Sequence, residues 1–222
     1  MILLHWALIP AAPPARVTAA WLELLPEQRR RLLARGLGTA RGLESLAGLA
    51  LLAHCAEYRP LPPLSRLEQG PGGKPCWSNG PDFSIAHAAG MTVCAVAAPG
   101  MAIGVDVEPA GAVHSKMLRL VTSAAEREQI HSGSLSATAL WTRKEAVLKA
   151  ASAGILAAGN VEIRGAIGHH AGRDYHLKQL DIDRNFVLSI ATTAPASGCR
   201  VVHTAASRLF DAPRIADRRR AP

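Results

Sequence analysis

Apolar residues open the chain as a nearly unbroken run, Ile2-Leu3-Leu4-His5-Trp6-Ala7-Leu8-Ile9, which reads as a buried strand over 2–9. Pro10, Pro13 and Pro14 end it. Residues 27–35 form a basic helical stretch, and Leu43, Leu46, Ala47, Ala50 and Leu51 recur at helical spacing. The spacing predicts a helix over 41–58 with one apolar face. Residues 60–75 are rich in Pro and Gly and read as a long loop. Short strand patterns follow at 83–86, 92–97 and 102–108, with Pro99-Gly100 as a turn. Residues 114–121 look helical, Ser123-Ala-Ala-Glu126 is a capping-box pattern, and 135–151 is the longest helix. Strand candidates then fall at 161–164, 175–181 and 186–193. The tail from about 205, with Arg218-Arg219-Arg220, is expected to fray.

Each half therefore reads as helices followed by about three strands. This predicts an α+β fold of two similar subdomains, 1–110 and 111–222, each a small, mostly antiparallel sheet packed with helices and related by a pseudo-two-fold. No internal sequence repeat supports the likeness, which is architectural.

Nearly half of the 222 residues are apolar, so a sizeable core can be buried. The formal net charge of +8 favours anionic partners: nucleic acid, acidic proteins, headgroups or phosphorylated small molecules. Cys55, Cys76, Cys94 and Cys199 lack metal or disulfide spacing and read as reduced thiols. The opening apolar run lacks the basic start of a signal peptide, and no run reaches the roughly 18–20 residues that span a bilayer. The reading is of a cytoplasmic protein with no membrane association.

Candidate chemistry begins with Asp106 and Glu108. Alternate strand residues share a face, so these carboxylates converge, and they repel unless a cation lies between them. Taken alone, the pair reads first as a solvated strand end. On the helix Leu140-Trp-Thr-Arg-Lys-Glu-Ala-Val-Leu-Lys149, Trp141, Glu145 and Lys149 share one face. Glu145 and Lys149 have the spacing of a surface ion pair. Lys144 interrupts an apolar stripe between Leu140 and Leu148, so it must snorkel or meet an anion. His87 ends the strand Phe83-Ser-Ile-Ala-His87, and Lys74 sits in the loop Gly72-Gly73-Lys74-Pro75. Each of these is weak by itself.

Their order is informative: G-G-K-P, F-S-I-A-H, G-V-D-V-E, then W-T-R-K-E-A-V-L-K. Over residues 26–156 the chain resembles the 4′-phosphopantetheinyl transferases of the Sfp type. The resemblance implies transfer of phosphopantetheine from coenzyme A, a substrate, to a serine of an apo acyl or peptidyl carrier protein, with release of 3′,5′-ADP. It implies that Asp106, Glu108 and Glu145 hold magnesium, with manganese as a substitute. Lys149 would contact the pyrophosphate, with Lys144 beside it, and Glu145 would act as base. Lys74 and Pro75 would border the adenine. His87 and Arg31 would meet the 3′-phosphate, with Ser45 as a nearby hydroxyl. Glu126 and Trp141 are further candidates, and the capping box explains Glu126 equally well. Such two-subdomain chains are usually monomers.

The chain also departs from the pattern. Ala86 and Ala88 replace serines, Gln28 replaces a cation, and the D-x-x-R of the family stands as Arg41-Gly-Leu-Glu44. The missing hydroxyls raise the alternative of a member that binds coenzyme A with little transfer. The surface at 112–135 is the expected wall for a helix of the carrier. The charge and Arg29–Arg31 would also suit a nucleic-acid binder, but no stacking platform, zinc module or RNA-binding signature accompanies them. A scaffold role for the leucine-rich helix at 41–58 is a third reading, more simply explained as core.

Overall fold

The computed structural model describes residues 1–9, 15–111 and 115–211, and for 115–117 the backbone alone. The first half runs β1 (Ile2–Leu8), α1 (Ala15–Glu23), α2 (Glu27–Gly36), α3 (Ala40–His54), β2 (Glu68–Gln69), β3 (Pro75–Cys76), β4 (Phe83–Ala88) and β5 (Met91–Val96). The second runs β6 (Ile103–Pro109), α4 (Ser115–Val121), α5 (Ala124–His131), α6 (Ala137–Ala150), β7 (Glu162–Arg164), β8 (Ile167–His170), β9 (Arg173–Leu180) and β10 (Phe186–Thr192). The described chain ends with β11 (Cys199–His203) and α7 (Ala206–Leu209).

The fold is α+β, as the pattern predicts. One sheet has the order β11-β1-β5-β4, the other β6-β10-β9-β8-β7, and β2 and β3 form a small separate pair. All pairings are antiparallel except β1 with β11. Strand alternation then sorts the cores. Leu3, Phe83, Cys94 and Val96 pack with α1, α3 and α7. Val147, Leu148, Tyr175 and Ala191 pack around α6. The opposite faces of the two sheets share a third core, with Ile2, Leu4, Val93, Ile103, Val105 and Ile190.

The expectation of a frayed tail fails for 205–211. Leu209 and Phe210 are buried in the first core, the Trp21 indole N–H donates to the Phe210 carbonyl at 3.2 Å, and the His54 ring lies 3.2 Å from the Leu209 carbonyl. Arg218–Arg220 lie outside the described residues. Strand β11 belongs to the first sheet, so the chain returns to the N-terminal half after building the second. Helix α1 and strands β8 and β11 carry no clear pattern in the sequence. Strand β8, Ile-Gly-His-His, has too little apolar content, and β11 alternates around the edge of a sheet.

Candidate active site

Strand β6 and helix α6 meet at Gly104. A Cβ there would lie 1.9 Å from the Ala146 carbonyl oxygen and 2.5 Å from the Ala150 nitrogen. Only glycine lets the helix descend this far onto the strand. Ile103, Val105 and Val107 fill the core behind β6, so Gly104, Asp106 and Glu108 take the opposite face, under α6. A buried hydrogen bond of 2.8 Å between the Thr142 and Ser189 hydroxyls fixes the helix over β10, where Ser189 is the ladder partner of Asp106. Ser136 caps the helix by accepting from the Ala139 N–H.

This packing brings Asp106, Glu145 and Lys149 close to one another. The Lys149 ammonium donates to Asp106 Oδ1 at 2.7 Å. Glu145, one turn earlier on α6, is half-buried beside them. Burial raises the Asp106 carboxyl above its ordinary range, opposed by Lys149. Burial also raises Glu145, with the Asp106 and then the Glu108 carboxylate adding and Lys149 opposing, to about 7. Asp106 Oδ2 and Glu145 Oε1 are both buried without a hydrogen-bond partner. Among the described residues, no three acidic, His or Cys side chains are already gathered around one point for a metal ion. The orphaned oxygens and raised carboxyls nevertheless fit a hard cation, which would satisfy both at once.

A second cluster lies across the seam between β4 and β6. No backbone ladder joins these strands in the described sheets. Side chains bridge them instead: Ser84 Oγ accepts from the Val105 N–H at 3.1 Å, and Asp82 Oδ2 accepts from the Ile103 N–H at 2.8 Å. The Lys74 ammonium completes the seam, donating to Asp82 at 2.7 Å and to the Ile103 carbonyl at 2.8 Å. Burial holds its pKa below the usual lysine value, against the attraction of Asp82. Pro75 begins β3, beside it. Gly72 sits at φ 64°, and a Cβ there would lie 2.4 Å from the Ser152 carbonyl oxygen, so this loop touches the end of α6. On β4, His87 faces α3, with Nδ1 3.0 Å from Glu44 Oε2 and Nε2 3.4 Å from Ser45 Oγ. His87 lies close enough to Asp106 and Lys149 to influence one and feel the other.

A family model, the 4′-phosphopantetheinyl transferase superfamily, matches residues 102–191. The match spans 90 of the 222 residues. No curated protein matches the chain. The matched segment runs from the start of β6 through β10 and contains Asp106, Glu108, Glu145 and Lys149. Lys74, Pro75, His87, Ser45 and Arg31 precede it.

Lys144 and Glu126 are inside the matched segment but do not join the acids. The Lys144 side chain is 2 % exposed and its ammonium donates to the Val121 carbonyl at 2.7 Å, the Val161 carbonyl at 2.7 Å and Glu126 Oε2 at 3.0 Å. Three acceptors satisfy its three donors, so it ties α6 to the segments around it. The expectation of a second lysine at the pyrophosphate is corrected: the anion that Lys144 meets is Glu126. Glu126 completes the capping box of α5 with Ser123 and is buried. Trp141 packs against the core around α6, which includes Val121 and Val161.

Arg31 is exposed on α2 and pairs with Glu27. Arg29, on the other side of the helix, is half-buried, and burial lowers its pKa while nearby Cys76 opposes the shift. The arginine turned toward β3 is therefore Arg29. Ala86 packs into the core between the sheets at 3 % exposure, so a serine there would bury a hydroxyl among apolar side chains. Its absence costs no donor at the seam. Sequence reasoning misses Asp82, Ser84 and Gly104, which carry this site as much as the acids do. The runs Phe83-Ser-Ile-Ala-His87 and Gly104-Val-Asp-Val-Glu are the signals that could have found Ser84 and Gly104. The expected carrier wall at 112–135 begins outside the described residues, at 112–114. Among the described residues, no helix is long and apolar enough to cross a membrane.

Proposed function

We propose that the protein transfers 4′-phosphopantetheine from coenzyme A to a serine hydroxyl of an apo acyl or peptidyl carrier protein, releasing 3′,5′-ADP. One observation carries this reading: Asp106, a buried acid paired with Lys149, sits beside a Glu145 carboxyl raised to about 7, within the segment that matches the 4′-phosphopantetheinyl transferase superfamily. The serine oxygen forms a bond to phosphorus as the bond to the leaving 3′,5′-ADP breaks. The serine proton goes to Glu145. A carboxyl near 7 is a far better acceptor than an ordinary glutamate, and Glu145 Oε1 has no competing hydrogen bond. Lys149 stabilises charge on the leaving phosphate. Its ammonium is already held 2.7 Å from Asp106, so little reorganisation accompanies the reaction.

Asp106, Glu108 and Glu145 would hold magnesium, for which manganese would substitute. A magnesium ion held there would supply Lewis-acid chemistry that offsets the charge of the pyrophosphate. A cation depresses the basicity of a carboxyl, so the proton and the metal compete for Glu145. His87, Ser45 and the Lys74-Pro75 loop lie on the coenzyme A side of the seam. Of the α2 arginines, Arg29 is better placed than Arg31 for the nucleotide. The formal charge of +8 speeds encounter with acidic carriers.

Incubation with coenzyme A, magnesium and several apo carriers, followed by chromatographic detection of 3′,5′-ADP, tests this. Carrier-dependent release is expected. Coenzyme A left intact with every carrier would overturn the reading.

A further inference from the structure

The α3 helix places a carboxylate beside a cluster that the proposed function assigns to an anion. Glu44 lies at the position where the resemblance to the Sfp-type family implies an arginine. An unpaired carboxylate there would repel a phosphate. The structure shows what Glu44 does instead. Oε2 lies 3.0 Å from His87 Nδ1, and Oε1 accepts from the Gly90 N–H at 2.9 Å. Gly90 belongs to the turn between β4 and β5, so one carboxylate grips both the imidazole and the turn that ends its strand. The Glu44 and His87 side chains are only 13 % and 22 % exposed, which leaves the ring little freedom to rotate.

The grip decides where the ring carries its hydrogen. A carboxylate accepts only, so Nδ1 holds the proton. Nε2 faces Ser45 Oγ at 3.4 Å, and that hydroxyl already donates to the Arg41 carbonyl at 2.8 Å. Ser45 therefore turns lone pairs, not a proton, toward Nε2. Ser45 Oγ is the polar atom that Nε2 faces, and its single hydrogen is directed to the Arg41 carbonyl. An anion arriving at Nε2 would meet a hydrogen only if the ring gains a second proton.

We propose that Glu44 is a positioning residue that holds His87 by Nδ1 and aims Nε2 at a phosphate of coenzyme A, so that the phosphate is bound together with a proton. This rests on the transferase reading above. The charges facing the ring agree with it. From α3, Glu44 favours the imidazolium and Arg41 opposes it; from α6, Lys149 opposes it; from β6, Asp106 interacts favourably with it. Thr92, its ladder partner on β5, does not titrate. Burial is the largest influence and keeps His87 below its ordinary value, so the second proton is absent at neutral pH until an anion joins these charges.

The test uses the full-length protein, wild type and the E44A and E44Q variants. Binding of 3′,5′-ADP is measured calorimetrically in buffers of different ionisation enthalpy, and KM for coenzyme A is measured from about pH 6 to about pH 8.5, a range that brackets histidine titration. Wild type is expected to take up a proton on binding, with KM rising toward high pH. E44A should raise KM for coenzyme A about tenfold, change kcat much less, and abolish proton uptake. The amide oxygen introduced by E44Q can still accept from Nδ1, so its KM at the acid end of the range should stay near wild type. Lacking the charge, this variant should begin to lose affinity about one pH unit lower. Should E44A fail to fold, this shift in E44Q decides the matter. Wild-type KM and proton uptake in E44A, or an unshifted profile in E44Q, would overturn the role of Glu44. A wild type that binds neither coenzyme A nor 3′,5′-ADP would overturn the transferase reading itself.

Discussion

Lys149 and Asp106 form a half-occupied pair: the ammonium lies 2.7 Å from Oδ1, while Oδ2 of the same carboxylate is buried with no hydrogen-bond partner. The lysine offsets part of the cost of burying the acid and leaves one oxygen for another cation. Removing Lys149 leaves the buried Asp106 charge without its partner. Lys149→Ala should lower kcat about a hundredfold or more while raising the thermal stabilisation given by magnesium. Differential scanning calorimetry with and without the ion reads the second effect. A variant with normal kcat would remove Lys149 from the chemistry.

Glu145 gives a pH signature. Its carboxyl is raised from 4.5 to about 7 in the folded state, so the folded protein holds a proton that the unfolded chain releases. Stability contributed by the neutral acid is therefore present below pH 4.5 and is lost as pH rises toward 7. The loss is on the order of 2–3 kcal/mol, given the partial exposure of the side chain. Glu145→Gln should flatten the wild-type decline between those limits and be the more stable protein at about pH 8, above both values, while transfer is abolished. Urea melts of both proteins at several pH values check this, since other titrating groups cancel in the difference.

The same logic applies to the cation. At about pH 8 the carboxylates repel and magnesium relieves them; at about pH 5.5 Glu145 is protonated and competes with the metal. Magnesium should raise Tm more at the alkaline pH than at the acid one, and less in Asp106→Asn than in wild type. Equal shifts in both proteins would place the ion elsewhere.

Much of this site was legible in the sequence, for identifiable reasons. Asp106 and Glu108 share a face because strand period is two, and Glu145 and Lys149 share one because helical period is near four. Periodicity also gave α3, α6 and β4–β6 to within a few residues. What failed was long-range. Lys144 has the same local pattern as a ligand lysine, and only the positions of Val121, Glu126 and Val161 show that its charge is consumed inside the fold. Strand β11 joins β1 from the far end of the chain, which no local pattern encodes. Glu44 looked like a charge exchange within one helix, yet its partner is His87 on a strand.

Lys144→Met separates structure from chemistry. It leaves the Val121 and Val161 carbonyls and the Glu126 carboxylate without their buried donor. A loss of about 3–5 kcal/mol is expected, with KM for coenzyme A in the folded fraction close to wild type. Chemical denaturation beside steady-state kinetics distinguishes the two; unchanged stability with a large kcat loss would return Lys144 to the active site.

Gly104→Ala tests the packing that assembles the acids. The added methyl meets backbone of α6, which cannot rotate away as a side chain could. Stability should fall by about 1–3 kcal/mol or more, and kcat should fall further than stability explains, because Glu145 and Lys149 ride on the displaced helix. Activity measured well below the melting temperature makes the comparison. Normal kcat would mean that the site tolerates a shift of α6.

The most direct measurement is the intact mass of a set of apo acyl and peptidyl carrier proteins after incubation with this protein, coenzyme A and magnesium. At least one carrier should gain the mass of a single phosphopantetheine group, lost when its acceptor serine is changed to alanine and absent with Glu145→Gln. No mass gain on any carrier, from a folded protein that binds coenzyme A, would contradict the account.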